Sequence, residues 1–252
     1  MTKKIFFCIL LSTLILTLIK PPVYAEIPME LIEIPTAEII SYGNFDLNLR
    51  MYGAGNLLTR LSFGALRNID LGFQLDVGSL TGNNKIQMRN PSLMLKIKLY
   101  GGNTYFPGLA AGYDAQGHGY FTEKGQLLPD GKIADEDTYS EKARGIFAAA
   151  SKELFFEGLY IHGGGYVSDL DNIKIPDNLY GFFGVSRMMG EQCLLMAEYD
   201  NIKKLEDEQN NRFNIGARYF MTSQLSLEFS WKNIKKQHIP ERILRINYTE
   251  AF

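Results

Sequence analysis

The chain has 252 residues, 26 basic against 28 acidic side chains and two cysteines. A charge balance this close to neutral gives no reason to expect a nucleic-acid partner, and two cysteines leave no disulfide framework for an exported protein to lean on. Three scattered histidines do not make a zinc site, so neither a metal nor a cofactor is called for.

In chain order, Lys3 and Lys4 precede an apolar run over 5–19, and "PPVYA" closes on small or neutral residues at 23–25. This is the layout of a secretory signal peptide over 1–25, with the mature chain beginning at Glu26. The run is shorter than the roughly 20 residues a spanning helix needs. Cys8 lies inside the apolar run and not at its cleavage end, so it is not placed as a lipoprotein acceptor. Residues 26–36 precede the first alternating run and read as a periplasmic lead-in or partial plug to a barrel over 37–252.

From residue 45 onward, apolar and polar side chains alternate with period two. Phe45, Leu47, Leu49 and Met51 interleave with Asp46, Asn48 and Arg50. Ile69, Leu71, Phe73, Leu75 and Val77 interleave with Asp70, Gly72, Gln74 and Asp76. The same stripe runs through 59–65 and 93–99, more weakly through 109–113, 145–151, 158–167, 180–187 and 192–199, and again through 211–232 and 244–252. Period-two alternation is a strand with one apolar and one polar face. The count is about twelve, each near the roughly 9–11 residues that cross a bilayer when tilted.

The connections sort by length. Those at 66–68, 101–105, 153–157, 189–191 and 221–224 are tight, while those at 78–91, 115–143, 168–178, 200–210 and 233–241 are mostly longer and polar; only "GAG" at 53–55 breaks the rule. Short turns at one end and long loops at the other are the plan of an outer-membrane barrel, whereas a sandwich has no reason to sort loops by parity. The chain ends "RINYTEAF" with Tyr248 and Phe252 in phase, the aromatic ending by which barrel-assembly machinery takes up such chains. The expected fold is therefore all-β: a transmembrane, antiparallel, up-and-down barrel of about twelve strands in the bacterial outer membrane, its apolar face in lipid because only a helix or a closed barrel leaves no bare N–H or C=O there. Tyr52, Tyr100, Tyr105, Tyr199, Tyr219 and Trp231, near strand ends, are expected in interfacial girdles.

The complementary face carries Arg50, Arg60, Lys96, Lys98, Arg212, Arg218, Lys232 and Arg245 against Asp46, Asp70, Asp76, Glu198 and Glu228. These eight cations are the candidate lumen and solute-binding residues. The interspersed signs favour an internal salt-bridge network, while the basic excess leaves open a pore that attracts anions. No catalytic residues stand out. "HGGG" at 162–165 falls within a strand, no Gly-x-Ser-x-Gly accompanies it, and His162 has no in-phase serine close in sequence. Asp114, His118, Asp135 and Asp137 lie along 113–141, which reads as a solvated acidic loop; a rim hydrolase on Asp114 and His118 is the remote alternative. "DGKIADED" at 130–137 lacks the spacing of a calcium loop.

The stretches "IPTAEII" (34–40), "GNLLTRLSFGALRNIDLGFQLDVGSLTG" (55–82), "NPSLMLKIKLY" (90–100), "AAGYDAQGHGY" (110–120) and "ERILRINY" (241–248) resemble the YjbH-like outer-membrane barrel proteins associated with exopolysaccharide production, whose better-known members are considerably longer. The resemblance implies a short, single-barrel form with a non-enzymatic part in exporting or assembling surface polysaccharide, with polysaccharide-export components as partners beside outer-membrane lipid. The alternative is a small porin for anionic oligosaccharides or other solutes.

Overall fold

In the computed structural model the described residues are 27–53, 55–83, 85–127, 131–135, 137–141, 143–168, 179–203, 211–234 and 240–252. The signal peptide expected at 1–25 lies outside them. The strands are β1 (Asn44–Tyr52), β2 (Asn56–Leu66), β3 (Ile69–Gly78), β4 (Gln87–Met88), β5 (Ser92–Tyr100), β6 (Gly108–Asp114), β7 (His118–Thr122), β8 (Thr138–Glu141), β9 (Gly145–Glu153), β10 (Leu159–Val167), β11 (Leu179–Met189), β12 (Cys193–Ile202), β13 (Arg212–Phe220), β14 (Leu225–Lys232) and β15 (Glu241–Ala251).

Twelve of them close into a ring. Each pairs antiparallel with its neighbour along β2-β1-β15-β14-β13-β12-β11-β10-β9-β6-β5-β3, and β2 pairing with β3 completes the circle. The seam between first and last strands runs from Asn44↔Ala251 to Met51↔Leu244, and the Phe252 amide donates to Gly43 O at 2.9 Å. The three short strands decorate the long loops: β4 pairs antiparallel with the end of β3, and β7 pairs with β8. The tight turn at 53–55, odd by loop parity, lies beneath the 79–91 loop. Thr81 N donates to Gly55 O, and a Cβ on Gly55 would lie 2.3 Å from the Thr81 hydroxyl.

Closure leaves no sheet edge, which is the condition for crossing hydrocarbon. The outer face is apolar around the circumference, with Leu71, Phe73, Leu93, Phe183, Leu195, Phe229 and Leu244 all exposed. Tyr100, Tyr105, Tyr219 and Trp231 are exposed near strand ends, as expected of girdle residues, Tyr100 by way of a register shift after Lys98. Tyr52 is not. It points inward, 4% exposed, with its phenol donating to Asp76 Oδ2 at 2.7 Å. Its even position outweighs its place near a strand end, because a residue's face is set by phase.

A second departure is on the inside. The inner face is not uniformly polar: Phe147, Ala149, Tyr166, Phe182, Leu194 and Met196 form an apolar inner wall on β9 to β12. On β9 the inward residues are the odd ones, Phe147, Ala149 and Ser151. The two faces of that strand are both apolar, so its sequence does not declare a phase.

Candidate functional site

Twelve strands enclose more space than wall side chains fill, and here the segment that precedes β1 enters that space. Residues 27–41 run into the barrel from the turn end, reverse, and return to the turn end to begin β1. The reversal is a small hairpin. Glu30 bridges Pro35, the Leu31 amide donates to Ile34 O and the Thr36 amide to Met29 O, each at 3.0 Å. Pro28 and Pro35 favour extended backbone in the arms, and Thr36 Oγ1 ties them by donating to Pro28 O at 2.7 Å.

The hairpin tip, Leu31 to Ile34, is answered group by group by wall side chains, as backbone removed from water must be. The Glu198 carboxylate on β12 accepts from the amides of Ile32, Glu33 and Ile34 at 2.9–3.2 Å and from Asn214 Nδ2 at 2.7 Å. On the carbonyl side, Arg245 donates to Leu31 O (2.9 Å) and Ile32 O (2.7 Å). The Glu33 carboxylate meets three cations: Arg50, Lys232 at 3.2 Å and Arg144 at 3.7 Å. Leu31, Ile32 and Ile34 are fully buried against the apolar inner wall. Two glycines make room for them. A Cβ on Gly184 would come within 2.5 Å of Ile34 Cδ1, and one on Gly216 within 3.1 Å of Ile32 Cδ1.

The arms are held by the same chemistry. Glu30 pairs with Arg60 at 2.7 Å and Arg245 at 3.4 Å. Burial opposes its charge, but the two guanidiniums hold its carboxyl down at about 2. Lys96 Nζ donates to Met29 O and Glu38 O, Lys98 pairs with Glu38 at 2.5 Å, and the Ile40 amide donates to Asp70 Oδ2 at 2.8 Å. Where the returning arm leaves the lumen it passes Gly64, whose hypothetical Cβ would stand 2.2 Å from Ser41 O. Beside the arms at the turn end lies a cavity of about 340 Å³, lined by Asp46, Asn48, Arg218, Ser226, Asn247 and Thr249 among others.

All eight cations singled out in the sequence face this interior. Arg50, Arg60, Lys96, Arg218, Lys232 and Arg245 are buried, while Lys98 and Arg212 keep side-chain exposures of 20% and 19% at opposite ends. Six of them touch the hairpin: Arg50, Arg60, Lys96, Lys98, Lys232 and Arg245. The other two pair within the barrel wall and loops, Arg218 with Glu228 at 2.5 Å and Arg212 with Glu141 at 2.5 Å. Alternation did not single out Arg144, just before β9, or the glutamates of the hairpin. The available signal was composition: residues 26–40 hold four glutamates and no basic residue, directly upstream of strands whose polar faces are rich in cations.

Two enzymatic readings need correction. Asp114 is not on a loop rim. It ends β6 with its carboxylate inside the barrel, accepting from Gln74 Nε2 at 2.8 Å and the Gln116 amide at 2.9 Å. His162 does have serine neighbours, brought by strand pairing and not by sequence proximity. Ser151 Oγ on β9 lies 2.8 Å from Nδ1, and Ser186 Oγ on β11 lies 3.0 Å from Nε2. Ser151 also accepts the Ala37 amide at 2.8 Å, so in this arrangement the Ser–His–Ser chain braces the returning arm. Among the described residues no group of three or more His, Cys, Asp and Glu side chains converges as a metal site requires.

No family model and no curated protein matches the chain in sequence. Among solved structures it is similar to the KdgM porin, at 8% identity and a TM-score of 0.49 over 83% of this chain and 99% of that one. It is also similar to the NanC porin, at 8% and 0.45 over 82% and 99%, and to an outer membrane channel from Pseudomonas putida F1, at 13% and 0.44 over 93% and 100%. These are likenesses of a barrel to barrels; the chemistry of this lumen rests on its own residues.

Proposed function

We propose that the chain is an outer-membrane channel for acidic solutes, the reading offered as the alternative on sequence grounds. One observation carries it: the sorting of charge across a single wall. Six buried or half-buried cations (Arg50, Arg60, Lys96, Lys98, Lys232 and Arg245) take a counter-charge or acceptor from the hairpin, while the opposite face of the same strands is apolar. A low-dielectric wall focuses the field of such charges into the lumen and raises the local concentration of anions. In this reading the secretory signal over 1–25 exports the chain, the tight turns face the periplasm, and the final strand ending at Phe252 is presented to barrel-assembly machinery.

The second reading follows from the YjbH-like resemblance: a non-enzymatic part in exopolysaccharide export or assembly, with polysaccharide-export components as partners. What favours it is that the lumen is filled, as suits a barrel that waits for its cargo. A planar bilayer separates the two. The channel reading predicts anion-selective current across a salt gradient, with the reversal potential moving toward the cation side in Arg212→Glu/Arg218→Glu. A membrane silent under every condition favours the assembly role.

A further inference from the structure

The hairpin does to the lumen what a bound ligand would do. Its carboxylates Glu30, Glu33 and Glu38 sit at successive depths, and each meets wall cations: Arg60 and Arg245, then Arg50, Lys232 and Arg144, then Lys98. Arg50 and Lys98 find their carboxylates on the hairpin, and Lys96 spends its hydrogen bonds on two hairpin carbonyls. Buried cations left without partners are costly, so a lumen without the hairpin calls for another acidic occupant or for water.

The opposite wall narrows the chemistry of that occupant. Tyr166 stacks with Tyr180 (ring centroids 5.4 Å apart) and with Phe182 (6.4 Å), and the Arg144 guanidinium lies 5.3 Å from the Tyr166 ring centre. A wall of aromatic rings on one side and a ladder of cations on the other suit a pyranose chain. Its C–H groups pack against the aromatic wall, and its carboxylates reach the guanidinium and ammonium groups. A free phosphate or a single small acid would use the cations and leave the aromatic wall idle.

We propose that the track covered by the hairpin is a binding site for a linear acidic saccharide, and that the hairpin is its removable internal stand-in, closing the channel until it withdraws toward the turn end. This deepens the channel reading and rests on it. The hairpin suits withdrawal because it enters and leaves at one end and is joined to the wall by side chains, with no strand pairing to the wall among the described residues.

The experiment uses the full mature chain refolded into planar bilayers. In Glu30→Gln/Glu33→Gln/Glu38→Gln, open probability should rise about tenfold or more over the unaltered chain. A mannuronic acid hexamer should then block the current at concentrations where maltohexaose does not. A lock provides the complementary arm and does not depend on the triple variant folding. In a Cys193→Ser background, Ile32→Cys/Gly216→Cys places two sulfurs where a Gly216 Cβ would lie 3.2 Å from Ile32 Cγ1, within reach of a disulfide. Oxidised, this barrel should be silent, and reduction should restore the openings of the unlocked chain. Equal current from the oxidised and reduced barrel overturns the stand-in while leaving the channel reading intact. Equal block by both hexamers overturns the acidic saccharide. Cation-selective current in the open triple variant removes the channel reading, and the inference with it.

Discussion

The barrel wall and the hairpin inside it are made of one chain but held by different physics. The wall is a closed backbone ladder, each strand paired on both sides over most of its length, with apolar side chains facing outward. Its integrity does not depend on any single charge. The hairpin has two internal backbone bonds joining its arms and tip and is otherwise fixed by apolar packing and by carboxylates, guanidiniums, ammoniums and a hydroxyl that reach it from eight strands. The difference teaches where adaptability lies. Ladder bonds in a membrane open only together, since a bare backbone group there costs several kcal/mol. An ion-paired insert in a polar lumen exchanges its partners for water or a ligand one contact at a time.

The variant expected to separate the two regions most is Glu198→Leu. It orphans the amides of Ile32, Glu33 and Ile34, each at a cost of about 1–3 kcal/mol when left unsatisfied, while leaving β12 paired on both sides. The expected outcome is a released hairpin in an intact barrel: greater protease cleavage within 27–40 and unchanged heat-dependent gel mobility. If mobility and cleavage change together, hairpin and wall form one cooperative unit.

Acid should do much less. The Glu30 carboxyl ordinarily titrates near 4.5 and is held at about 2 here. A lowered folded-state value means that its contribution is fully present above about pH 4.5 and is lost only as the pH falls through about 2. The difference in current between the unaltered chain and Glu30→Gln should therefore be the same at pH 7 and pH 5, with any release through Glu30 confined to the more acidic range. Opening at pH 5 would show that another group governs the hairpin.

The wall was legible in the sequence because lipid imposes a period of two on one face, and Leu71, Phe73, Leu227 and Phe229 keep it. Loop lengths then supplied the up-and-down order. What lay inside was less legible, for two reasons. Contacts across strands depend on register, so Ser151 and Ser186 reach His162 although no local spacing announces them. The hairpin carries no period of its own, and its partners are remote in sequence: Glu198 lies 166 residues from Ile32, and Arg245 lies 214 from Leu31. The eight cations were visible as a polar stripe. That six of them turn toward the chain's own hairpin could be read only once the barrel had closed around residues 27–41.

Amide hydrogen exchange on the barrel reconstituted in lipid vesicles tests the central claim most directly, through a peptide covering 27–40. With the tip amides held by Glu198 and the arms clasped by Arg60, Lys96 and Arg245, that peptide is predicted to exchange orders of magnitude more slowly than an unstructured tail. Complete exchange within seconds, beside slow exchange in β1 and β15, would place the hairpin outside the lumen and contradict the account.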